Sequence, residues 1–184
     1  MKKAAVILVV ILMPLALVAG NVFGELGLGY RTIADSNLTD VYGSGGFNFS
    51  LNLGYKVGHP FTLLLETGYF SKEGKTIGLG EKTTFSYIPF ILKGRYNINS
   101  GNFTPYVGAG VGYVAYKVKN DSPFLEDVSK GTMGFVVETG VCYKVQENFG
   151  FLLNAGYLYA KAKPFDVERN IGGVLFSAGL RVKF

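Results

Sequence analysis

The sequence predicts an all-β protein: an eight-stranded antiparallel up-and-down transmembrane β-barrel, preceded by a cleaved signal peptide. Three observations lead there. Residues 173–184 alternate strictly, with Val174, Phe176, Ala178, Leu180, Val182 and Phe184 on one side of an extended strand and Gly173, Leu175, Ser177, Gly179, Arg181 and Lys183 on the other. The same pattern recurs in seven earlier segments, joined by connections that are alternately long and short. At the start, the basic Met1-Lys2-Lys3 and the apolar run over residues 4–19, followed by small residues, read as a leader.

The leader is shorter than the roughly 18 to 20 residues a spanning helix needs, and Pro14 interrupts it. Cleavage is expected after Gly20, or as late as Gly24, leaving residues 25–184 as one barrel domain. No Cys lies near either junction to accept a lipid. The chain is 48% hydrophobic, yet no second long apolar run follows, so its apolar residues must be spread along strands. The formal charge of +5 becomes +3 without Lys2 and Lys3, and the remaining Lys and Arg form no stripe, which leaves nucleic-acid binding unsupported.

Taken in order, the first strand (25–32) sets Leu26, Leu28 and Tyr30 against Gly27, Gly29 and Arg31. Residues 34–46, rich in Asp, Asn, Ser and Gly, read as a long loop. The second strand (47–57) alternates Phe47, Phe49, Leu51, Leu53, Tyr55 and Val57 with Asn48, Ser50, Asn52, Gly54 and Lys56. Gly58-His59-Pro60 turns into the third strand (61–70), where Leu63, Leu65, Thr67 and Tyr69 face out and Glu66 and Gly68 face in. After a second long loop (71–83), the fourth strand (84–97) contains Pro89. Proline cannot donate a ladder hydrogen bond, and a closed barrel has no free edge, so a bulge is expected there. Beyond it Phe90, Leu92 and Tyr96 face out, with Lys93 and Arg95 inward.

A short turn (98–102) leads to the fifth strand, which begins near Phe103. It puts Gly108, Gly110 and Gly112 on one face and Val107, Ala109, Val111 and Tyr113 on the other. A dinucleotide fingerprint would need a helix after its glycines. Here they keep period two within a strand, and a narrow barrel needs such gaps for long side chains from neighbouring strands. A third long loop (119–130) precedes the sixth strand (131–145), with Phe135, Val137, Thr139, Val141 and Tyr143 outward and Glu138 inward. Residues 146–148 turn the chain into the seventh strand, where Phe149, Phe151, Leu153, Ala155, Tyr157 and Tyr159 face out. The fourth long loop (161–170) precedes the closing strand.

Connections after even-numbered strands are short and those after odd-numbered strands are long and polar, as in an up-and-down membrane barrel with both termini and the short turns on the periplasmic side and longer loops outside. Tyr55, Phe61, Tyr96, Phe103, Tyr143, Phe149 and Phe184 all lie beside the short turns or the chain end, where an interfacial girdle belongs. A soluble lipocalin-like barrel would carry charge outside, whereas most charges here fall in the long loops or on the polar strand face.

The mature chain resembles the small eight-stranded OmpA/OmpX-like barrels, the outer membrane protein β-barrel domain family, and Thr104-Pro105-Tyr106-Val107-Gly108-Ala109-Gly110-Val111-Gly112-Tyr113 is similar to one of its common strands. The ending Ser177-x-Gly179-x-x-Val182-x-Phe184 resembles the C-terminal insertion signal of that class. The resemblance implies a monomer in the bacterial outer membrane, in contact with lipopolysaccharide or phospholipid. It further implies delivery by the general secretion route, periplasmic chaperones and the barrel-assembly machinery, and roles in membrane integrity, adhesion or surface recognition. OmpA itself is followed by a peptidoglycan-binding domain; this chain ends at its last strand, so no such tether is expected. A narrow channel or small-ligand-binding barrel is the other reading.

The alternation places Arg31, Glu66, Lys93, Arg95, Glu138 and Arg181 in the lumen. An isolated buried charge costs several kcal/mol, so Glu66 and Glu138 are expected to pair with some of Lys93, Arg95 and Arg181 and plug the barrel. The alternative is that these side chains sit in small water pockets without specific partners. Enzymes among barrels of this size acylate or deacylate lipid A, or are proteases, with a His-based constellation near the extracellular rim. The single His59 sits in a short turn at the opposite end, so no catalytic residue is expected. His59 and Cys142 are too far apart in sequence to suggest a metal or cofactor site, and Cys142 reads as a small buried residue.

Overall fold

The alternating segments close into one antiparallel ladder. The computed structural model describes residues 21–76, 80–98, 100–121, 127–163 and 168–184; the expected leader, residues 1–20, and parts of the second, third and fourth long loops lie outside them. The strands are β1 (Val22–Thr32), β2 (Gly45–Gly58), β3 (Phe61–Lys75), β4 (Lys82–Asn97), β5 (Phe103–Asn120), β6 (Val128–Gln146), β7 (Phe149–Ala162) and β8 (Gly173–Lys183). Each pairs with its sequence neighbours, and β8 closes on β1 through pairs such as Leu26 with Leu180, leaving no barrel edge open. A two-residue ladder, Arg169–Asn170, adds to the long-loop end of β7.

The outward face is apolar throughout the middle of the barrel: Leu28 is 65% exposed, Leu92 58% and Phe176 60%. In water such a surface would drive aggregation, whereas in hydrocarbon it costs nothing. The girdle aromatics Tyr55, Phe61, Tyr96, Phe103, Tyr143 and Phe184 are exposed on the same face near the short-turn end. Phe61 and Tyr96 pack edge to face there, with ring centroids 5.4 Å apart.

Several boundaries differ from the sequence reading. Strand β1 starts at Val22, three residues before the expected start. At the long-loop end, β5 runs 18 residues and β6 19, well beyond the ~9–11 that cross a bilayer. Much of the second and third expected loops is therefore a β extension, with Lys75 paired to Lys82 and Val118 to Val128.

Within the first long loop lies a helix, α1 (Ser36–Tyr42), which the loop assignment of residues 34–46 missed. Asp35 caps it by accepting the amides of Asn37 at 3.0 Å and Leu38 at 3.4 Å, and Gly43, at φ 75° and ψ −177°, ends it in a conformation essentially open to glycine alone. The helix lies close against β3, where a Cβ on Gly74 would come within 2.2 Å of the Val41 carbonyl oxygen.

The bulge expected at Pro89 does not occur. Thr67 pairs with Phe90 and Phe70 with Tyr87 in one unchanged register; only the rungs between them are missing. Pro89 costs a hydrogen bond, but β5 holds the strand in phase on the other side through the Pro89–Val114 pair, so no extra residue is needed. The register does shift at Lys56/Gly58 and at Lys144/Gln146, both just before short turns.

Inside, the long-loop half is mostly apolar, with Arg31 and Asn48 buried at its edge. Phe70 stacks on Tyr87 with centroids 5.0 Å apart, and Phe85, Val114, Tyr116, Leu158 and Ile171 fill the space around them. The buried Tyr42 of α1 closes this plug from above, its phenol 3.1 Å from the Thr83 hydroxyl.

Candidate functional site

Below the apolar plug, charged side chains fill the lumen because inward positions of five strands converge there. Glu66 comes from β3, Lys93 and Arg95 from β4, Glu138 from β6, Glu25 from β1 and Arg181 from β8. Lys93 donates to Glu66, and to Glu138 Oε2 at 2.7 Å. Arg95 forks onto Glu138 Oε1, from Nε at 3.0 Å and Nη2 at 2.8 Å, and reaches Glu25 Oε1 from Nη1 at 2.8 Å. Arg181 donates to the same Glu25 oxygen from Nε at 2.9 Å.

The result is one chain in which charge alternates: Glu66, Lys93, Glu138, Arg95, Glu25, Arg181. Three carboxylates balance three cations, so the cluster is neutral although all its members but the partly exposed Arg181 are buried. This is the arrangement a low-dielectric lumen requires. Aromatic faces add to it. The Arg95 guanidinium lies 3.9 Å from the Tyr106 ring centroid, and that of Arg181 lies 4.5 Å from Phe23.

The glycines of β5 make this crossing possible. Lys93 and Arg95 on β4 reach Glu138 on β6 by passing over β5. A Cβ on Gly110 would lie 2.6 Å from Lys93 Cγ, and one on Gly108 3.2 Å from Glu138 Cγ. Side chains at those positions would fill the gap that the charged groups cross.

Of the six expected lumen residues, Glu66, Lys93, Arg95, Glu138 and Arg181 come together, and Arg31 does not. Arg31 is buried nearer the long-loop end, donates from Nε to Asn48 Oδ1 at 3.2 Å, and lies 6.0 Å from the Tyr87 ring. Its Nη1 has no partner among the described atoms. The member missing from the sequence reading is Glu25, 3% exposed and the bridge between Arg95 and Arg181. Its parity with Gly27, Gly29 and Arg31 is the available signal, but Glu25 is the first residue of the expected strand, and no residue before it fixes the phase.

At the short-turn end the chain of charges opens onto a cavity of about 400 Å³, lined among others by Phe23, Lys56, His59, Thr62, Asn97, Cys142, Lys144, Glu147, Arg181 and Lys183. His59 therefore sits at the mouth opposite the long loops, and Cys142 is buried beneath it. The expected C-terminal residues lie on β8 and just past it. Ser177 and Gly179 face the lumen, Val182 faces outward, and Phe184, 70% exposed, donates its amide to the Val22 carbonyl at 3.0 Å. Among the described residues no group of three or more His, Cys, Asp or Glu is placed to hold a metal.

The model of the outer membrane protein beta-barrel domain matches residues 4–184. Among solved structures, the chain is similar to Neisserial surface protein A at 19% identity, with a TM-score of 0.70 over 90% of this chain and 98% of that one. It is similar to E. coli outer membrane protein W at 19% identity and a TM-score of 0.54, over 90% and 98% of the two chains. It is also similar to Ail, the attachment invasion locus protein of Yersinia pestis, crystallised with the heparin analogue sucrose octasulfate, at 18% identity and a TM-score of 0.52, over 88% and 99%. No curated protein sequence matches. At these identities the structural likenesses concern the fold.

Proposed function

The chain belongs to the outer membrane protein β-barrel domain family and is a protein of the bacterial outer membrane, and we propose that within it this barrel is a sealed, non-catalytic scaffold. Its task is to display the long-loop end at the cell surface, for membrane integrity, adhesion or surface recognition. One observation carries this reading: the lumen is filled twice over, by the apolar plug around Phe70, Phe85 and Tyr87 and by the neutral charge chain from Glu66 to Arg181. A barrel with both fillings has no room for a wide aqueous path. The display surface is partly rigid, because α1 and the extended β3–β6 ladder carry it. Two similar structures, a Neisserial surface protein and an attachment invasion protein, agree with a role at the surface.

The test is a planar-bilayer recording with purified, refolded protein. The sealed scaffold gives no large stable conductance, whereas steady open channels in the wild-type protein would refute it and favour the narrow-channel reading.

The partners proposed with this role are lipopolysaccharide and phospholipid around the apolar band, and the barrel-assembly machinery and periplasmic chaperones during biogenesis. Ser177, Gly179, Val182 and Phe184 are proposed as the assembly address; deleting Phe184 should lower the amount of heat-modifiable barrel in the outer membrane more than deletion of any one long loop. Leader cleavage after Gly20 is the proposed junction, because it keeps Phe23 beneath Arg181. The mass of the mature protein decides between this and cleavage after Gly24.

A further inference from the structure

The cavity at the short-turn mouth differs from the rest of the interior in its charge balance. Lys56 from β2, Lys144 from β6 and Lys183 from β8 line it, each two residues beyond an inward position of its own strand: Gly54, Cys142 and Arg181. Their parity turns them toward the barrel axis rather than toward lipid. Arg181 at the roof is already engaged with Glu25. Lys56, Lys144 and Lys183 have no ion-pair partner among the described residues, and Glu147 is the one carboxylate in the lining. Deeper in the lumen every cation of the charge chain has a carboxylate; here three ammonium groups from three strands converge and are left over.

We propose that this mouth is a binding site for a small, multiply charged oxyanion of the phosphate class, taken from the periplasm. A cavity of about 400 Å³ falls within the ~300–1,000 Å³ range of small-molecule sites. Three lysines on separate strands present point charges to a polyanion from three sides, and a bound anion removes their mutual repulsion. Asn148 and the Thr62 hydroxyl add neutral donors to the same wall, Thr62 being held by the Asn97 amide at 2.8 Å. Because the lysines face the axis, inside the barrel wall, the phosphate belongs to a soluble molecule and not to a lipid headgroup. This inference goes beyond the scaffold role and is independent of what the surface loops recognise.

The experiment is calorimetric titration of pyrophosphate into the refolded barrel in zwitterionic micelles. A variant carrying Lys56→Gln, Lys144→Gln and Lys183→Gln is compared with one carrying Lys75→Gln, Lys119→Gln and Lys163→Gln, which removes the same charge from the opposite end. Heat-modifiable gel mobility verifies that each barrel is folded. The site predicts at least a tenfold loss of affinity in the first variant and less than twofold in the second. Equal weakening in both, or no binding by the wild type, overturns the proposal, and so does displacement of pyrophosphate by phosphatidylglycerol added to the micelles. If the first variant does not fold, NMR of the wild-type protein replaces it. Pyrophosphate then shifts the amides of Lys56, Lys144 and Lys183, and shifts confined to the long-loop end refute the site.

Discussion

Around Phe85 the lumen is closed by stacked rings and aliphatic groups with α1 seated on top, and around Lys93 by six charged side chains in a neutral chain. Both halves fill the lumen, by different means. The apolar half depends on shape, so each atom removed leaves a void whose cost is local. The ionic half depends on balance, so the cost of losing one group falls on the partner left behind. Removing single groups and matched pairs therefore separates the two.

The largest effects come from one substitution in each half. Lys93→Met strips Glu66 of the ammonium it accepts from and should cost about 3–5 kcal/mol in urea unfolding from lipid vesicles. Adding Glu66→Met removes the stranded charge while Glu138, Arg95, Glu25 and Arg181 stay balanced, so the double variant should return to within about 1 kcal/mol of wild type. Phe85→Ala in the apolar half should also cost about 3–5 kcal/mol, and there no second polar-to-apolar change can compensate. A double variant as unstable as Lys93→Met alone would mean that the ionic half is held by packing too, and the contrast would collapse.

A smaller effect tests how the ionic half is accommodated. Gly110→Val would place a side chain against Lys93 Cγ, 2.6 Å from the new Cβ, and should cost about 1–3 kcal/mol. The penalty should shrink in the Glu66→Met, Lys93→Met background, where the more flexible Met can yield. An equal penalty in both backgrounds would assign it to the nearby Leu92 carbonyl oxygen, 2.5 Å from the same Cβ, rather than to the charge chain.

The two halves were also unequally legible in the sequence. In the ionic half, Glu66, Lys93, Arg95, Glu138 and Arg181 stand out against apolar neighbours, so parity alone points them inward. Parity gives direction but not depth. Arg31 and Glu25 share a face six residues apart, about 20 Å along the strand, and only the folded register shows that Glu25 lies level with Arg95 and Arg181 while Arg31 does not. In the apolar half, the inward Phe85, Tyr87 and Ile91 alternate with the outward Ile88, Phe90 and Leu92, so there is no contrast to read. The helix had left a trace: Asp35 as cap, then Leu38, Val41 and Tyr42 at helical spacing. The surrounding Asp, Asn, Ser and Gly made the segment look like a loop.

The smallest effect concerns that helix, and asks whether the cap and the barrel unfold as one unit. The Tyr42 hydroxyl is 3.1 Å from Thr83 Oγ1, which also lies 2.9 Å from Asn120 Oδ1. Burial pushes the Tyr42 pKa up, so the phenol stays neutral and able to share that bond across the physiological range. Tyr42→Phe removes one hydrogen bond without stranding Thr83, a loss of about 0.5–1.5 kcal/mol. If α1 is a separate lid on the plug, amide exchange in residues 36–42 should quicken while β5 amides and the urea midpoint stay as in wild type. If the urea midpoint falls and β5 exchange quickens in step, the cap belongs to the cooperative core, and the apolar half is closed by the barrel and helix together.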